Sequence, residues 1–114
     1  MSDERLWTFY IDDMLDFVQK AIAYCVDLDR DTFAANTLVY DATLRNLELI
    51  GEAATRIPAV VRDGHPDIPW RQVIATRNRL IHGYLGIDDD ILWSIIQDDL
   101  PKLREQLDAL RAAL

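Results

Sequence analysis

Apolar residues spaced three and four apart are the feature that most constrains how this chain can fold. Three long segments show this spacing, at about residues 4–26, 36–57 and 91–112. The spacing places apolar side chains along one side of an α-helix, and no segment keeps the two-residue alternation of a surface strand for long. Most glycines and prolines lie between residues 58 and 86, outside these segments. We therefore expect an all-α fold.

Capping residues and helix breakers predict where the helices begin and end. Asn36 is a good N-cap for the second long helix, and Pro69 can open a shorter helix over about residues 70–81, which Gly83 ends. Pro101 lies within the last long segment and should bend or split that helix. Short connections favour antiparallel neighbours, so we expect an antiparallel bundle of about four to five helices.

The composition excludes several classes of function. One domain, residues 1–114, is the expectation for a chain of 114 residues. The formal net charge of −8 argues against non-specific nucleic-acid binding unless a local basic patch exists. The single cysteine, Cys25, is interpreted as a small core residue and fits a cytoplasmic protein. No apolar run resembles a signal peptide or a membrane span, so we expect no association with a membrane. Neither His65 nor His82 has the partners of a zinc site, and we expect no metal or cofactor.

A local basic patch does exist, between residues 68 and 87. This window contains no Asp or Glu but includes Arg71, Arg77, Arg79 and His82. The acidic net charge therefore does not exclude phosphate binding. If the ligand is RNA, Arg71 and Arg79 are candidate contacts to its backbone.

Arg77, Asn78 and His82 suit the cleavage of a phosphodiester. An imidazole can take or give a proton near neutral pH, a guanidinium binds phosphate and stabilises the charge that develops on it, and an amide can orient either group. RNA carries its own nucleophile, the 2′-hydroxyl, so no metal-bound water is required. In a regular helix Arg77 and His82 point about 140° apart, and they would converge if the helix unwound at Gly83. The alternative is structural, because His and Arg also stabilise a helix C-terminus.

The same segment forms the motif R-x4-H-x-Y, with Arg77, His82 and Tyr84 at the named positions. The motif resembles the signature of HEPN-domain ribonuclease toxins, and in particular that of the HepT family. Three blocks of the chain are similar to that family in order and spacing: residues 44–54, 65–88 and 92–103. The resemblance therefore extends over nearly the whole chain.

What the resemblance implies is a HEPN-type helical bundle that forms a homodimer, with the two motifs facing each other across one cleft. Arg77 would hold the scissile phosphate, His82 would transfer a proton, and Asn78 would support both. HepT toxins are generally paired with MntA-like nucleotidyltransferase antitoxins, and the tyrosine of the motif can accept AMP, which silences the toxin. The matching residue here is Tyr84. Together with the residue chemistry, this implies a metal-independent endoribonuclease whose substrate is RNA.

Other interpretations stay open from the residues alone. The arginine patch would also serve a non-catalytic subunit that binds nucleotide or substrate for a minimal nucleotidyltransferase. A third interpretation is a plain interaction scaffold, which predicts no effect of His82→Ala. Tyr84 can be a packed aromatic residue near a glycine turn. Arg45 and Glu48 can form an ion pair within their helix or support the site.

Overall fold

The computed structural model describes residues 2–83 and 87–114, and for residues 2–5 it describes the backbone alone. Every regular element in this part of the chain is helical, which confirms the all-α prediction. In chain order the helices are α1 (Ser2–Cys25), α2 (Arg30–Ala35), α3 (Thr37–Thr55), α4 (Ala59–Asp63), α5 (Trp70–His82), α6 (Asp89–Ser94) and α7 (Leu100–Ala112), with a π-helical turn (Ile95–Asp99) between the last two.

The long helices pack side by side, with α3 between α1 and α5. Helix α1 also packs against α7, so the order across the bundle is α5, α3, α1, α7. This arrangement agrees with the wide apolar arc of α3, which predicts burial on two sides. The largest group of buried apolar side chains comes from α1, α3 and α7: Ile11, Met14, Val18, Ala21, Cys25, Leu44, Leu47, Ile50, Ala53, Ala54, Leu100, Leu103, Leu107 and Leu110.

Helix α5 lies at the edge of the bundle. Only Trp70 and Leu80 of this helix are buried, whereas α3 buries eight residues. Most of α5 therefore presents polar side chains to solvent, which is the arrangement expected of a helix that carries a binding or catalytic motif rather than core residues.

Local capping accounts for the predicted helix starts. The side chain of Asn36 accepts a hydrogen bond from the Val39 N–H at 3.1 Å and caps α3 as predicted. Asp29 caps α2 in the same way, accepting from the Thr32 N–H at 2.8 Å. The Thr32 hydroxyl also donates to Asp29, and the two hydrogen bonds lower the pKa of Asp29 because they stabilise its charged form.

Pro101 interrupts the last helix, as the sequence predicts. The π-helical turn lies directly before it, and the Leu100 N–H donates to the Ile95 carbonyl, five residues back instead of four. A proline ring inside an α-helix clashes with the carbonyl four residues earlier and cannot donate to it. The wider π turn accommodates both effects and separates α6 from α7.

Two smaller interpretations are also confirmed. Cys25 is buried, with its sulfur 3.6 Å from the Thr43 hydroxyl, and this burial raises the pKa of the thiol. Of the two alternatives for Arg45 and Glu48, the structure shows the ion pair within α3. Within the part of the chain that the structure describes, no helix has the length and apolarity needed to cross a membrane.

Candidate functional site

The N-terminal end of α5 is anchored in the core. Trp70 is buried, and its indole N–H donates to the His65 carbonyl at 3.1 Å. Pro69 directly precedes the helix, as predicted, and its missing N–H costs nothing at a position that has no intrahelical acceptor. Together these contacts fix the direction in which α5 leaves the connection from α4.

Gly51 allows α3 and α5 to approach each other closely. A Cβ built at Gly51 would lie 2.1 Å from the Cβ of Arg77 and 3.0 Å from the Val73 carbonyl oxygen. Any side chain at this position would therefore force the two helices apart. The close approach places the stem of Arg77 directly against α3, next to Glu52.

Arg77 is held on two sides. Its Nη2 donates to Glu52 Oε2 at 2.6 Å, and its Nη1 donates to Asn78 Oδ1 at 2.8 Å. The Arg77 side chain is 27% exposed, and its Nε is buried with no acceptor among the described residues. Each terminal nitrogen of a guanidinium carries two hydrogens, so these two bonds leave one N–H on each unused. The contacts thus orient the guanidinium without using up its donors.

Glu52 was not identified as a site residue from the sequence. It lies between two cations, because its other carboxylate oxygen is 3.7 Å from Arg56 Nη2. Glu52, Arg56 and Arg77 therefore carry a formal charge of plus one together, so an anion is still attracted to the group. The one sequence signal nearby is Gly51, since a glycine inside a helix usually has a packing reason.

His82 is the last residue of α5 and is exposed. Gly83 follows with a φ of 147°, in a region that favours glycine, while its N–H still donates to the Arg79 carbonyl at 3.1 Å. The helix is therefore regular through His82, and the unwinding that would bring His82 toward Arg77 is not present. Among the described residues, no hydrogen bond joins His82 to Arg77 or Asn78.

The structure describes every predicted site residue except Tyr84. Arg71, Asn78 and His82 lie on one exposed side of α5, together with Ala75, and we call this line of four residues the α5 stripe. Arg79 is exposed beside it. Tyr84, the predicted acceptor of AMP, lies outside the described residues.

The chain that follows the motif is anchored where α6 begins. The Tyr40 hydroxyl donates to Asp89 Oδ1 at 3.0 Å, and Arg30 Nη1 donates to Asp90 Oδ1 at 2.6 Å. Burial raises the pKa of Tyr40, and the Asp89 carboxylate adds to this effect. The start of α6 is thus attached to α2 through Arg30 and to α3 through Tyr40.

Metal ligands do not cluster in the described part of the chain. No group of three or more His, Cys, Asp or Glu side chains is close enough there to hold a metal ion.

Comparison with known proteins identifies relatives over most of the chain. The family described as Ribonuclease HepT-like matches residues 14–110. A Methanocaldococcus jannaschii protein named "Putative RNase MJ1380" is 35% identical over 99 residues, which is 87% of this chain and 91% of that protein. The "Probable ribonuclease HepT" of Thermococcus cleftensis is 32% identical over 102 residues, which is 90% of this chain and 93% of that protein. No solved structure matches.

Proposed function

The chain belongs to the Ribonuclease HepT-like family, and we propose that it is an endoribonuclease that cleaves RNA at the C-terminal end of α5. The observation that carries this proposal is the placement of Arg77, oriented by Glu52 and Asn78 five residues before an exposed histidine. The names of the relatives, which refer to ribonucleases, support the same class of reaction.

In the proposed reaction, the free N–H groups of Arg77 bind the non-bridging oxygens of the scissile phosphate. The 2′-oxygen of RNA attacks the phosphorus while its proton passes to a base, and the bond from phosphorus to the 5′-oxygen breaks as that oxygen takes a proton. An imidazole such as that of His82 can serve in either transfer. The products are a 2′,3′-cyclic phosphate and a free 5′-hydroxyl, and no metal is needed.

The active cleft is proposed to form between two copies of the chain. The side chains of Arg77 and His82 project from a regular α5 in directions about 140° apart, so one chain does not readily present both to one phosphate. A symmetric homodimer would supply an arginine and a histidine from each subunit, and the acid and the base could then come from different subunits.

We also propose that the protein is the toxin of a toxin–antitoxin pair that acts on RNA in the cytoplasm. Its partner would be an MntA-like nucleotidyltransferase, which would silence it by transferring AMP to Tyr84. An added phosphate and adenine two residues after His82 would crowd the cleft and oppose the binding of a substrate phosphate.

The test is regulated expression of the wild type, Arg77→Ala and His82→Ala, with total RNA examined for fragments. Each substitution is expected to lower cleavage by about a hundredfold or more, the usual loss when a proton-transfer group or a charge-stabilising donor is removed. Arg45→Ala is the matched control, since Arg45 is ion-paired on the exposed side of α3. Folded variants that cut RNA as fast as the wild type would contradict the proposal. Nucleotide binding without any cleavage would favour the alternative of a binding subunit.

A further inference from the structure

A pocket lined by two arginines lies beside the motif. A pocket of about 760 Å³ opens between α4 and the exposed side of α5, and we call it the α4–α5 pocket. Its walls include Arg62 of α4 and, from α5, Trp70, Arg71, Ile74 and Asn78. Asn78 also accepts a hydrogen bond from Arg77, so the pocket lies next to the residue that is proposed to bind the scissile phosphate.

Arg62 and Arg71 differ from most of the other arginines in their lack of acidic partners. An ion pair with a carboxylate is seen elsewhere for Arg30, Arg45, Arg56, Arg77 and Arg111. Within the described residues, Arg62 and Arg71 make no ion pair, and the Nε of Arg62 is buried without an acceptor. A phosphate bound in the pocket would give these two guanidinium groups the charge partner that they lack among the described residues.

The balance of charge in the pocket favours an anion. Asp63 also lines it, so two arginines face one carboxylate. The chain as a whole has a formal net charge of −8, so the excess of positive charge in this pocket is opposite in sign to that of the whole chain. Such a local positive site is the electrostatic signature of phosphate binding.

The direction of α5 links the pocket to the site of cleavage. Arg71 and His82 lie at opposite ends of the α5 stripe, which spans about 16 Å at the rise of an α-helix. An RNA strand whose scissile phosphate lies at the C-terminal end of α5 can therefore continue along the stripe toward Arg71 and Arg62. The buried indole of Trp70 donates to the His65 carbonyl, so it is not free to stack on a base.

From these observations we propose that the α4–α5 pocket is a subsite for the RNA backbone, in which Arg62 and Arg71 bind phosphates farther along the strand from the scissile one. The subsite contacts phosphate rather than base edges, so it adds affinity without sequence preference. This proposal rests on the proposed function, since it gives the same RNA a second point of contact.

The experiment compares how RNA binding depends on salt. A fluorescein-labelled single-stranded RNA of mixed sequence is titrated by anisotropy at several salt concentrations, in a His82→Ala background that prevents cleavage during the measurement. The Arg62→Gln/Arg71→Gln variant is compared with Arg45→Gln/Arg111→Gln, which removes the same charge from ion pairs outside the pocket. Loss of two phosphate contacts is expected to reduce the slope of log affinity against log salt by about 1.4, whereas the control keeps the slope.

Equal slopes for the pocket variant and the control would overturn the subsite. If Arg62→Gln disturbs folding, as circular dichroism would detect, Arg71→Gln alone is the substitute, because Arg71 is exposed, and it should lower the slope by about 0.7. Cleavage by the protein with His82 intact separates the two proposals. Binding with the expected slopes but without cleavage overturns the ribonuclease and leaves the subsite, whereas cleavage with equal slopes overturns the subsite alone. No RNA binding at all overturns both.

Discussion

The carboxylate of Glu52 on α3 accepts a hydrogen bond from the guanidinium of Arg77 on α5 at 2.6 Å. Both side chains are partly exposed, Arg77 at 27% and Glu52 at 41%. An ion pair with this much contact with water stabilises a fold by about 1 kcal/mol at most. We therefore interpret the pair as a device that orients Arg77 rather than as a major source of stability.

Glu52→Ala is expected to impair cleavage far more than folding. Without the carboxylate, Arg77 loses the contact that holds its Nη2, and a small misplacement of a phosphate-binding group lowers the rate by about tenfold to a hundredfold. The free energy of unfolding should change by no more than about 1 kcal/mol. Single-turnover cleavage and urea unfolding measure the two effects. Glu48→Ala is the control on the same helix, and a Glu52→Ala enzyme as fast as this control would refute the orienting role.

Gly51→Ala is expected to destabilise the fold, although alanine is the better helix former by about 1 kcal/mol. The new methyl group would lie 2.1 Å from the Arg77 Cβ, which is fixed to the backbone of α5 and cannot rotate away. Overpacking of this kind typically costs about 1–3 kcal/mol. Urea unfolding measures the change. Gly64→Ala is the control, because its nearest contact would be 3.4 Å, and equal stability of the two variants would show that α3 and α5 separate without cost.

Cleavage is expected to persist in EDTA and to leave 2′,3′-cyclic phosphate or 3′-phosphate ends. The reason is that the 2′-hydroxyl can attack without a metal-bound nucleophile. End-labelling of the fragments distinguishes these products from 5′-phosphate ends. Activity that chelation abolishes and added magnesium restores would require a different mechanism.

The protein is expected to be a homodimer, with a mass about twice that of the 13.1 kDa chain in light scattering. Mixing Arg77→Ala with His82→Ala chains should then recover part of the cleavage that each lacks alone. A mixed dimer keeps one arginine and one histidine in the shared cleft. A monomeric mass, or exchange of subunits without any recovery, would contradict the two-chain cleft.

Tyr84→Phe is expected to keep most of the cleavage activity but to gain no AMP from an MntA-like nucleotidyltransferase and ATP. A free phenol has a pKa of about 10 and is a poor base at neutral pH, so removing the Tyr84 hydroxyl should not stop proton transfer. Mass spectrometry detects the added AMP, with Tyr40→Phe as the control because Tyr40 is bonded to Asp89. A Tyr84→Phe protein that is inactive yet still modified would place the acceptor elsewhere.

The boundaries of the helices could be predicted closely, whereas the surroundings of the candidate site could not. Asn36 and Pro101 act on groups within a few residues of themselves, so their effects follow from the local sequence. Glu52 meets Arg77 across 25 positions in the chain, and no spacing rule connects them. The convergence of Arg77 with His82 depended on unwinding at Gly83, and α5 remains helical through His82.

The sequence by itself determined the helical class, the capped starts of the helices and the motif residues at the end of α5. It did so because helix periodicity and capping are interactions over one or two turns. Only the tertiary structure decided that α5 packs closely against α3 at Gly51, that Glu52 contacts Arg77, and that Arg62 shares a pocket with Arg71. These contacts depend on the distance and angle at which separate helices pack, and those are set by how all the buried side chains fit together.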